Sequence, residues 1–224
     1  MSKVLVSENN LSAIADSIRA KNGTQETYTP SEMSEAIDNL PSGGGDFAIT
    51  DTSYLFRAGS RLNTFNDLKP YFSGNTTTCE YMFQYAGSDI TNVDLNFDTS
   101  NCQLFTYMFQ SCSFLETAPN YDLSKARYCS YMFYACYALE NVPVYNLSGS
   151  NFNNSGHNNM FQYCTALTDE SLNNIMASLM TIQTTISSAT KTLKYVGLTS
   201  DQATRCQSLS NYQAFIDAGW TTGY

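Results

Sequence analysis

The chain has 224 residues, a formal charge of -9 at pH 7 and a pI near 4.4, with only 14% of its residues charged. That balance argues against nucleic acid or an anionic membrane as partner, because phosphate binding needs clustered Lys and Arg. No apolar run approaches the roughly 18 residues of a membrane span, so membrane insertion is not expected.

Residues 1–41 read as a helical hairpin. Leu11, Ile14, Ala15 and Ile18 share one helical face, and Gly23 follows as a stop. Thr29-Pro30-Ser31-Glu32 is a capping box with proline at the first helical position, and Met33, Ala36, Ile37 and Leu40 form the stripe behind it. Two such helices bury too little to stand alone, so the hairpin is expected to anchor on a partner, to oligomerise, or to fold back as a cap. No basic start followed by an apolar core is present, so no Sec-type signal is expected. Residues 42–46 are a Gly-rich linker.

Residues 47–167 repeat. Tyr107, Met108, Phe109, Cys112 and Leu115 recur as Tyr131, Met132, Phe133, Cys136 and Leu139. Tyr54-Leu55-Phe56 with Leu62 is a degenerate copy, as is Tyr81-Met82-Phe83 with Ala86 and Ile90. Met160, Phe161, Cys164 and Leu167 keep the spacing, with Asn159 in place of the tyrosine. The period of about 24 to 28 residues lies in the leucine-rich-repeat window. Ile90-Thr91-Asn92-Val93-Asp94-Leu95 alternates as a half-buried strand should. The expectation is an α/β fold: a short leucine-rich-repeat solenoid whose coils each give one strand to a parallel β-sheet, between the N-terminal helical hairpin and a C-terminal α-helical cap.

Cys112, Cys136 and Cys164 share one repeat position and Cys79 and Cys129 another, which reads as a buried ladder of free thiols rather than as disulfides. His157, the only histidine, stands in an Asn-rich insertion without a catalytic partner and reads as a surface residue. Tyr85, Tyr121, Tyr134, Tyr137, Tyr145 and Tyr163 are not tied to one repeat position and are candidates for contact.

Residues 168–224 form the expected cap. Leu172, Ile175, Met176 and Leu179 make a helical face, and Leu193, Tyr195 and Val196 suggest a strand. Two capping boxes, Thr199 to Gln202 and Ser210 to Gln213, each open a helix, and Gly219 stops the last one beside Trp220. There is no Gly-rich phosphate loop, no nucleophile elbow and no His cluster, so neither an enzyme nor a cofactor is expected.

The Met-Phe-x-x-Cys-x-x-Leu copies resemble the BspA-type leucine-rich repeats of surface proteins from Firmicutes, Bacteroidetes and mycoplasmas. Residues 11–19 and 29–33, and at the other end 193–199, 211–215 and Gly219-Trp220, are similar to tail and baseplate proteins of phages of Gram-positive bacteria. The resemblance implies a non-enzymatic binding module in a phage tail. Its hairpin would join other virion tail proteins, and its repeats would meet a host surface glycan or protein. It also implies a virion protein assembled in the host cytoplasm, expected to be a homo-oligomer. On the strand face the candidates are Glu116, Thr117, Glu140 and Asn141, with Thr91 and Asn92 from the preceding coil. Tyr121 and Tyr145 would add aromatic contacts for a sugar. The alternatives are a structural virion component without receptor contact, a bacterial surface adhesin, or an intracellular inhibitor of host defence.

Overall fold

A computed structural model describes residues 49–59, 62–149 and 155–224. The expected hairpin at 1–41 and the linker at 42–46 lie outside the described residues. The repeats build five stacked coils, each centred on the Tyr-Met-Phe segment or its variant.

The backbone of that segment is unusual. Tyr54, Tyr81, Tyr107, Tyr131 and Asn159 all lie at positive φ, between 50° and 63°. Four residues further on, Ala58, Tyr85, Ser111, Ala135 and Tyr163 do so again, between 57° and 68°. Each left-handed residue that is not glycine costs about 1–2 kcal/mol, so the pattern persists only because the surroundings enforce it. Amides between these points alternate in their use. Tyr81, Phe83 and Tyr85 donate to the next coil, at Thr106, Met108 and Gln110 (3.1, 2.8 and 2.9 Å). Met82, Gln84 and Ala86 instead close tight turns onto Cys79, Tyr81 and Phe83 (3.2, 3.1 and 2.9 Å). The same alternation recurs in the coils of Tyr107 and Tyr131.

This hydrogen bonding overturns the expected parallel β-sheet, and with it the α/β leucine-rich-repeat solenoid. Among the described residues there is no β-strand, only isolated parallel bridges joining Asp51, Thr78, Leu104 and Tyr128 in series, plus Thr117 to Asn141 and Thr192 to Thr221. A strand needs successive residues free for pairing, whereas here every second amide is consumed within its own coil. On the opposite side, Ala118 donates to Asn141 (2.8 Å), but Pro119 and Pro143 come next in their coils and have no N–H with which to extend the ladder. The segment expected as a strand begins as a 3-10 helix, Ser88–Asn92, and is extended only from Val93. The described chain is turns, loops and helices.

Packing runs along the stack. Phe56, Phe83, Phe109, Phe133 and Phe161 lie ring over ring at 5.5, 5.0, 5.4 and 5.6 Å. Tyr54, Tyr81, Tyr107 and Tyr131 form a second, partly exposed column at 4.7, 5.0 and 4.8 Å. Asn159 ends it, its amide donating to the Tyr131 hydroxyl (3.3 Å) together with that of Asn158 (3.3 Å). All seven cysteines are free and buried. Cys112, Cys136 and Cys164 donate to the carbonyls of Phe83, Phe109 and Phe133 in the preceding coils (3.0, 3.1 and 3.0 Å). Cysteine suits that position as a small apolar group with a weak donor. Burial pushes the Cys112 thiol up to about 12.

Helix α1, Phe65–Phe72, follows the first coil and buries Phe65 and Phe72 against the phenylalanine column. After the coils come α2 (Asp169–Met180), α3 (Leu193–Val196), α4 (Ser200–Cys206) and α5 (Tyr212–Asp217). Thr168 caps α2, and both halves of the Thr199–Gln202 capping box are present at α4. Leu193, Tyr195 and Val196 are helical rather than a strand, because the Thr192 side chain accepts from the Tyr195 amide and Gly197 ends the turn at φ 95°. The second expected capping box does not form: the cap of α5 is Asn211, without a side-chain bond.

Helix α2 takes the place of a further coil by hydroxyl substitution. Ser171, Ser178 and Thr181 accept from the amides of Val142, Tyr145 and Leu147 (2.8, 2.8 and 2.7 Å). Tyr195 and Val196 serve the other edge, accepting from Asn159 and Phe161 (2.9 and 3.0 Å). His157 is the corresponding correction to the surface reading. It is fully buried, its Nε2 2.9 Å from the Thr190 carbonyl, with its ring against Tyr195 and Trp220. Burial lowers its pKa, which holds the ring neutral.

Candidate functional site

The side of the stack that carries Pro119 and Pro143 holds a groove. The groove, of about 780 Å³, runs across three successive coils and ends against α2. Thr91 and Asp94 come from one coil, Glu116 and Thr117 from the next, and Asn141 from the third. Glu170 and Asn174 enter from α2.

Local bonds hold these groups in place. The Asp94 carboxylate accepts from the Asn96 side chain and backbone (2.8 and 3.1 Å) and faces Lys69 at 3.8 Å. Those bonds, the Asn96 side chain foremost, hold its pKa below the usual carboxylate range. The Asn96 Oδ1 in turn accepts from the Asn120 amide of the next coil (3.1 Å). Asn141 approaches Thr117 Oγ1 at 3.5 Å across their isolated bridge. Asn174 donates to the Val142 carbonyl (3.0 Å), which ties α2 to the groove wall. The floor is apolar, with Leu95, Ala118, Pro119, Val142 and Pro143.

Four expected residues therefore meet in one place: Thr91, Glu116, Thr117 and Asn141. Glu140 is exposed but is not part of the lining; its carbonyl is taken up by Thr168 and Ser171 (3.1 and 2.6 Å). The backbone of Asn92 ends the 3-10 helix, and its side chain lies outside what the structure describes. Tyr121 and Tyr145 are corrected: they are 3% and 1% exposed, in the core, with hydroxyls donating to the carbonyls of Leu95 and Pro119 (2.8 Å each). They cannot stack on a ligand.

Asn96, Asn120, Glu170 and Asn174 are groove residues that the expected strand face did not include. For the first two a signal existed, since Asn96 and Asn120 stand 24 residues apart at one repeat position. For Glu170 and Asn174 none did, because they lie on a helix beyond the repeats. Outside the groove, Tyr85, Tyr137, Tyr163 and Phe114 are exposed. The Arg57 guanidinium lies over Tyr54 and Tyr85 at 5.5 and 5.6 Å. Among the described residues, no group of three or more His, Cys, Asp or Glu could hold a metal ion, and no helix is long and apolar enough to cross a membrane.

The family model described as "Mycoplasma protein of unknown function, DUF285" matches residues 50–175, more than half of the chain. The chain belongs to this family. The match is consistent with a BspA-type repeat protein. The DUF285 span opens at the first coil and ends inside α2, so it contains every residue that lines the groove. No curated protein and no solved structure matches the chain.

Proposed function

We propose that this DUF285 chain is a non-enzymatic recognition module of a phage tail or baseplate, and that its groove takes a glycan or protein segment of the host cell surface. The observation that carries this reading is the convergence of Thr91, Glu116, Thr117 and Asn141, from three coils, with Asn174 and Glu170 from the closing helix. Amides, carboxylates and hydroxyls at fixed positions over an apolar floor suit a ligand rich in hydroxyl or peptide groups. With Tyr121 and Tyr145 in the core, recognition rests on hydrogen bonds rather than on ring stacking. The likeness of both ends of the chain to phage tail proteins supports the setting. In that setting the module joins other tail proteins through residues 1–41 and acts as a homo-oligomer assembled in the host cytoplasm.

A second reading is a structural virion component without receptor contact. The exposed Tyr85, Tyr137, Tyr163 and Phe114 favour it, since exposed aromatic surface suits packing against neighbouring subunits. Mass spectrometry of purified virions tests what both readings share. Peptides of this chain are expected at a stoichiometry comparable with the tail proteins, and virions free of them would overturn both.

A further inference from the structure

The stacked coils carry one internal contact in three chemical versions. Thr52 and Cys79 are equivalent, since their amides donate to Thr78 and Leu104 of the following coils (3.0 and 2.8 Å). Thr76 and Cys102 are equivalent in the same way, each preceding a residue, Thr77 or Gln103, whose amide reaches back to Thr50 or Thr77 (2.7 and 2.9 Å). Between the first two coils this diagonal is a buried hydroxyl pair, Thr52 Oγ1 to Thr76 Oγ1 at 3.2 Å. One coil further along, the same diagonal is a pair of sulfurs, Cys102 Sγ to Cys79 Sγ at 3.0 Å, both fully buried. In the next coil the positions pass to Phe105 and Ala126, and the polar contact ends.

We propose that Cys79 and Cys102 are a disulfide-forming pair, which closes when the chain folds in the presence of a small-molecule disulfide such as oxidised glutathione. A disulfide bond is about 2.05 Å long, so the two sulfurs need to approach by only about 1 Å. Cys112, Cys136 and Cys164 are each engaged with a phenylalanine carbonyl of another coil, and Cys206 lies on α4. Buried Cys129 also lies near enough to Cys102 to raise its pKa, so it is the competing partner that the peptide map separates.

The exchange balances in two steps. The Cys79 thiolate attacks glutathione disulfide and releases one glutathione thiolate, forming a mixed disulfide. Cys102, deprotonated, then attacks the Cys79 sulfur and releases the second. Two electrons pass from the protein thiols to glutathione, and the two protons end on the released thiols. Burial raises the Cys102 pKa in the folded chain and disfavours its thiolate, so closure belongs to folding and is slow once the coils have stacked. The product would tie two coils together across a loop of about 24 residues, a length at which crosslinks restrict the unfolded chain appreciably.

The test is refolding of the full chain with oxidised and reduced glutathione, followed by thiol titration in denaturant and peptide mapping without reductant. The seven thiols are expected to fall to five, with one dominant crosslink joining Cys79 to Cys102. The Tm is expected to rise by roughly 6–12 °C and to return on reduction. The Cys79→Thr/Cys102→Thr double variant copies the neighbouring hydroxyl pair, so it should fold and keep its five thiols under the same treatment. Seven free thiols in the refolded wild type, or a dominant crosslink elsewhere, would overturn the assignment. So would a crosslink in the double variant.

Discussion

Phe109→Ala is expected to lower the free energy of unfolding by about 3–5 kcal/mol, read as a lower midpoint in urea with little change in slope. Phe109 is fully buried in the middle of the five-ring column, 5.0 Å from Phe83 and 5.4 Å from Phe133, and it also touches Tyr121 at 6.2 Å. Its carbonyl accepts both the Cys112 amide (3.0 Å) and the Cys136 thiol (3.1 Å). Truncation therefore opens a cavity where two coils interlock. A coil is held by its neighbours and by little of its own, so the loss should spread to both sides. A cost below about 1 kcal/mol would show that the column is not what binds the coils together.

Gly197→Ala should cost about 3 kcal/mol, although it adds a single methyl group. Gly197 has φ 95°, and a Cβ there would stand 2.7 Å from the Gln162 nitrogen and 2.8 Å from its Cα. Those are backbone atoms of the last coil and have little room to move. The turn at Gly197 closes α3, whose Tyr195 and Val196 carbonyls accept from Asn159 and Phe161. Left-handed strain and the clash act together, so the expected fall in Tm is roughly 6–12 °C. A variant melting within about 2 °C of the wild type would mean that the closing helix is not seated as described.

The periodicity of the sequence showed what is buried better than how the backbone runs. Met82, Phe109, Cys136 and their equivalents could be placed in the core because identical groups at a constant period must stack. Burial of the thiols followed from the same argument. The strands did not, since alternation at Ile90 to Leu95 says which side chains turn inward, not which amides are free to pair. Tyrosine gives no warning of a left-handed backbone, so the turns at Tyr54, Tyr81, Tyr107 and Tyr131 were not legible.

The repeat spacing does account for the burial of Tyr121, Tyr145 and His157. Phe97, Tyr121 and Tyr145 recur every 24 residues, so the tyrosines belong to a core position whose first member has no hydroxyl. His157 continues the series Thr52, Cys79, Phe105, Cys129, all buried. The near half of the groove was visible because Glu116, Thr117 and Asn141 flank the prolines. Its far wall depends on where a helix outside the repeats comes to rest, and no repeat register can locate that.

The most direct test of the role proposed for the groove is adsorption of the fluorescently labelled full chain to intact cells of the Gram-positive host that the proposal implies, wild type against Thr117→Ala/Asn141→Ala. Both side chains are exposed, so the double variant should melt with the wild type. Removing two hydrogen-bonding groups at about 1 kcal/mol each should cut adsorption at least about tenfold. Equal adsorption by a correctly folded double variant would contradict the assignment of this face to recognition.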